Sequence, residues 1–165
     1  MAYTVWLHGQ QIGETKFEFG PGGMKHAGAF HPTAFGVTVL PSITAMGPAL
    51  FDFGDMCRLH GIDTDDPSPE NASNALDTFA STPEGKRVIA AAKQIASVQV
   101  RDPEGQLLVW DSLAITDLEW LVQAARERNP SVLLPVDNLP KHDPIKFMIS
   151  LTLKEEARPG VAMSC

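Results

Sequence analysis

Two pairs of residues in this 165-residue chain have side chains suited to chemistry. The stretch "MKHAGAFHPTAFG", Met24 to Gly36, holds His26 and His31, and "DMCRLHG", Asp55 to Gly61, holds Cys57 and His60. Cys57 and His60 are three positions apart, so on a helix they would share a face. Such a pair reads in two ways. It could be half of a zinc site, with His26, His31 or His8 supplying further ligands. It could instead be a thiolate–imidazole couple for covalent catalysis in a small hydrolase. Neither reading has a local signature, because there is no paired Cys-x-x-Cys and no G-x-S-x-G. A free cysteine more often only packs.

His26 and His31 are five residues apart. On a regular strand that odd separation sends them to opposite faces, and on a helix it leaves them roughly 140° apart. Only a bulge would bring them together, and Gly28 is the natural place for one. Pro32 holds His31 in an extended conformation. Other motifs fail on inspection. "DTDDPSPENASN" departs from a calcium loop at Pro67, Ser68 and Asn74. "FGPGGMK" lacks the spacing of a phosphate-binding loop. Ser42 has no lysine three residues on, so a serine–lysine hydrolase motif is absent too.

Charge is the third feature. Asp plus Glu outnumber Lys plus Arg by 20 to 13. The excess concentrates in Asp52, Asp55, Asp63, Asp65, Asp66, Glu70, Asp77 and Glu84, a region whose only Lys or Arg is Arg58. Such a surface repels phosphate backbones, which argues against nucleic acid as a partner. It favours a basic partner, and Asp63, Asp65, Asp66 and Glu70 are the residues expected to meet it.

Elements that would position these groups can be read from periodicity. "YTVWLHGQQIGETKFEFG" predicts two strands around a short polar turn, the first with Tyr3, Val5 and Leu7 on one face and the second with Phe17 and Phe19 alternating with Lys16 and Glu18. "TAFGVTVLP" predicts a further strand with Phe35, Val37 and Val39 on one parity. "PSITAMGPALFDFGDMCRLHGI" changes to a helical period. Two helical pieces follow the acidic loop, the second capped by Thr82 with Pro83 in its first turn. "SVQVRDPEGQLLVWDS" predicts a hairpin about a type I turn at Asp102–Gly105, with Leu107 to Trp110 in a central strand. "TDLEWLVQAARERNP" predicts a helix with a Thr116/Glu119 capping box. In "IKFMISLTLK", Ile145, Phe147, Ile149, Leu151 and Leu153 share one face of a strand. Trp6, Trp110 and Trp120 fall on these regular elements as packing residues.

The half-wet strands favour antiparallel pairing. The expectation is an α+β fold: a curved antiparallel sheet or half-open barrel of about five to six strands, with about three to four helices on its apolar face. One domain is expected over residues 1–165, with a loop-like acidic segment near residues 62–75. Two cysteines make no disulfide framework, "MAYTVWLHGQQ" has no signal-peptide pattern, and no segment approaches a membrane span. The functional expectation is therefore a non-enzymatic bacterial protein of the cytoplasm, without a cofactor. It would act through a basic protein partner, as an acidic inhibitor or immunity-type protein does. The alternative is a small hydrolase or metal-dependent enzyme, with zinc held by His26, His31, Cys57 and His60.

Overall fold

The alternating N-terminal sequence folds into β1 (Tyr3–Leu7) and β2 (Gln10–Thr15), an antiparallel pair turning at His8 and Gly9. Both turn residues have positive φ, 49° and 78°, as a two-residue type I′ turn requires. The computed structural model describes residues 1–20, 23–44, 63, 65–66, 68–132 and 145–155. Within these, β3 (Lys25–Pro32), β4 (Val98–Arg101), β5 (Trp110–Asp117) and β6 (Phe147–Leu153) complete a six-stranded sheet of order β4-β1-β2-β3-β6-β5. Every pairing is antiparallel. Four helices are described: α1 (Ala34–Ile43), α2 (Pro69–Ser81), α3 (Pro83–Ala96) and α4 (Leu118–Arg128).

The chain divides into two compact units, Met1–Thr38 with Ser97–Cys165, and Val39–Ala96. The first contains the sheet and α4. Val5, Leu7, Ile12, Val98, Val100, Leu113, Ile115, Ile149 and Leu151 are buried there, and each such aliphatic side chain contributes about 1.5–3 kcal/mol of hydrophobic stabilisation. The α+β class and the curled half-barrel follow from this alternation. The curl is visible in two adjacent residues. Leu108 N–H donates to Val100 O on β4 (2.9 Å), and Val109 O accepts from Lys154 N–H just beyond β6 (3.1 Å).

Several elements differ from their sequence-based expectation. Phe35, Val37 and Val39 lie on a helix rather than a strand. Thr33 Oγ1 accepts from Gly36 N–H (3.0 Å), and Val37 N–H donates to Thr33 O (3.0 Å), which starts α1. Its buried residues are Gly36, Leu40 and Ile43, a helical stripe hidden among β-branched neighbours. The turn at Asp102–Gly105 forms, with Gly105 N–H bonded to Asp102 O (2.9 Å). However, its return arm makes only the bridge Arg101↔Leu107 before the chain leaves. Leu107 to Val109 is therefore not a central strand, and β5 lies at the opposite end of the sheet from β4. The N-cap of α4 is Asp117, which accepts from Trp120 N–H (3.2 Å), while Thr116 remains in β5. The helix expected over 41–62 begins within α1 and otherwise lies outside the described residues.

The second unit contains α2, α3 and the end of α1. Thr82 ends α2 and begins α3. Its hydroxyl donates to Phe79 O (2.6 Å) and accepts from Gly85 N–H (3.0 Å). A Cβ on Gly85 would overlap the Phe79 carbonyl, so α3 can start there only with glycine or with a shift of backbone.

Candidate functional site

β3 decides the fate of the two histidines. Its register with β6 runs unbroken from Lys25↔Thr152 to Phe30↔Phe147, passing Gly28↔Ile149. Gly28 is not bulged. The irregularity lies on the facing segment instead, where Phe17 takes a left-handed φ of 51° and its backbone closes on Gly28. Glu18 then accepts from Ala29 N–H (3.2 Å). With β3 regular, the odd separation places the imidazoles on opposite faces. His26 is half-buried, edge-on to Phe17 (5.6 Å between ring centres), and its buried Nδ1 has no hydrogen-bond partner among the described residues. His31 is exposed on the other face, directly opposite Glu14. Cys57 and His60 lie outside the described residues. Among the described residues, no three His, Cys, Asp or Glu side chains gather as metal ligands.

The acidic segment is built residue by residue around the start of α2. Asp63 Oδ1 accepts from Asp65 N–H (2.9 Å), and Asp66 accepts from both N–H and Oγ–H of Ser68 (2.9 and 3.1 Å). Ser68 is the N-cap, its Oγ accepting from Asn71 N–H (3.3 Å). Asn71 reaches back to the carbonyls of Asp63 and Asp66. Two of the four acidic residues expected to meet a partner thus shape the loop with their carboxylates. They also place negative charge at the positive end of a helix dipole.

The other acids point outward. Asp65, Glu70 and Asp77 are all exposed. On α2, Ala75 and Phe79 are the buried residues. Glu70 and Asp77, seven residues apart, lie within about 20° of each other on the opposite side. From Asp63 to Gly85 the sequence has no Lys, Arg or His, so the charged side chains of α2 are all acidic. The alignment of Asp77 with Glu70 was available from the seven-residue spacing, once the loop-like composition of 62–75 is seen to run into a helix. Compared with known proteins, the chain matches no protein-family model, no curated protein and no solved structure.

Proposed function

We propose that this protein works by binding a protein with a basic surface, in the manner of an acidic inhibitor or immunity-type protein, rather than by catalysis. The observation that supports this is the run of exposed carboxylates Asp65, Glu70 and Asp77, the last two on one side of α2, in a stretch of sequence without a base. Clustered carboxylates of this kind accelerate encounter with a cationic surface and select against anionic ones. Asp63 and Asp66 support the face by fixing the loop that leads into α2.

The test compares the intact chain with a variant carrying Asp65→Asn, Glu70→Gln and Asp77→Asn, leaving Asp63 and Asp66 untouched. Each is used as bait in host lysate at low and high salt, and the retained protein is then purified and titrated. A basic protein that elutes with salt and binds the variant at least about tenfold more weakly is the expected result, since rim charges act through salt-dependent association. Equal retention by both baits, or no basic protein retained, overturns the reading.

A further inference from the structure

The outer face of the sheet around β1 has a symmetry in its chemistry. Thr4 is opposite Arg101 on β4 and opposite Glu14 on β2. Directly opposed residues in antiparallel strands project to the same face, so Arg101 and Glu14 flank Thr4 at about one strand spacing, ~4.8 Å, on either side. The next row repeats the pattern: Trp6 is opposite Gln99 on β4 and Gln11 on β2. Glu14 and Gln11 are an odd number of residues apart, and the register shift between Val5 and Trp6 lets both occupy the outer face. Val5, Leu7, Val98 and Val100, of the other parity, are buried beneath.

We propose that this face pairs with the same face of a second copy of the chain, about a twofold axis lying in the interface and running along β1. Rotation about that axis exchanges left and right across β1. Arg101 of each copy then stands over Glu14 of the other, and Gln99 over Gln11. A twofold axis across the strands would instead set Arg101 against Arg101. The face is thus self-complementary in one orientation only, as a closed, isologous dimer requires.

Presentation of the charges fits this pairing. The Arg101 guanidinium lies over the Trp6 ring, 5.2 Å from its centre, which fixes its position and lowers the entropy lost on docking. Glu14 is exposed, and the Trp6 Nε1–H is satisfied by Thr4 Oγ1 at 2.9 Å, so the indole docks without an orphaned donor. Tryptophan and arginine at the centre of a contact are the residue types that dominate interface energetics. Two charge pairs on a polar face favour a weak association, and the expected dimer dissociates at roughly 10–100 µM. This inference uses none of the carboxylates of α2 and stands or falls apart from the proposed function.

Sedimentation velocity from 10 to about 300 µM tests it, on the intact chain and on two charge reversals, Arg101→Glu and Glu14→Arg. The wild-type chain should move toward dimer mass across this range. Each reversal alone places like charges opposite each other and should remain monomeric, at least about tenfold weaker. An equimolar mixture of the two variants restores an opposite-charge pair at both positions and should dimerise again. That recovery also shows that each variant is folded. A wild-type chain monomeric throughout, single variants that still dimerise, or a mixture that stays monomeric beside a dimeric wild type overturns the proposal.

Discussion

In the helical unit, polar side chains act close to home. Asp63, Asp66, Ser68 and Thr82 each bond backbone no more than three residues away, and Asn71 reaches back no more than eight. In the sheet unit the notable polar groups are strangers in sequence, since Arg101, Thr4, Glu14 and His31 form one row only because four strands lie in register. The difference teaches where function can be sought from sequence. Local chemistry at a helix end is written in consecutive residues, whereas a sheet face is assembled by pairing and has no linear motif.

Substitutions at tightly packed glycines strain this comparison most. In the helical unit, Gly85→Ala should destabilise by about 2–3 kcal/mol through overlap with the Phe79 carbonyl. Helix propensity alone would make it favourable by about 1 kcal/mol, so the sign of the change in a urea titration decides whether α2 and α3 meet as described. In the sheet unit, Gly13→Ala would push a methyl group into the Phe30 ring and the His31 carbonyl, 2.7 Å away. It should cost a similar amount, about 3 kcal/mol. A neutral result at Gly85 beside a large one at Gly13 would mean that only the sheet is tightly built.

Thr82→Ala comes next, at about 1–2 kcal/mol, because one hydroxyl serves two helices. Thr82→Ser should recover most of the loss in thermal unfolding, and a serine variant no better than alanine would remove the hydroxyl from the account. Smallest is Asp117→Ala, a single cap on α4 at the edge of the sheet unit. A loss of about 1 kcal/mol or less is expected, restored by Asp117→Asn. Should Asp117 prove costlier than Thr82, local capping would matter more in the sheet unit than its long-range pairing suggests.

Much of the fold was legible wherever a period was clean. β1 and β6 alternate, and Leu118 and its successors announce α4; the alternation of Phe17 and Phe19 misleads, because β2 ends at Thr15 and Phe17 has a left-handed φ. Capping chemistry was legible at Thr82. α1 was misread because Val37, Thr38 and Val39 imitate a strand, and the Thr33 cap that starts the helix is an ordinary residue at an ordinary spacing. Leu107 to Val109 looked central because it is apolar on both sides, yet Leu107 and Val109 are more than half exposed. What draws that segment out is the hydrogen bonding of Leu108 and Val109 to two different strands, a tertiary demand that composition does not register. For the candidate site, the acids were visible as a cluster. Which of them shape a loop and which face outward depends on hydrogen-bond partners, and these are set by the fold. The histidines were the reverse case: their spacing argues against a shared face, and the bulge that Gly28 offers as a remedy is absent from the register of β3 with β6.

The strand order also has a consequence for how the chain comes to be folded. β6, last of the six in sequence, lies between β3 and β5, and β1 pairs with β4 from beyond both α2 and α3. A ribosome delivers β3 long before the strand that completes its edge. The nascent chain therefore carries Ala29 and Phe30, buried in the finished protein, without their β6 partners Met148 and Phe147 until those residues are made. Pairings so distant in sequence fold slowly, on the scale of milliseconds to seconds, and a strand edge left open that long is exposed to wrong pairing.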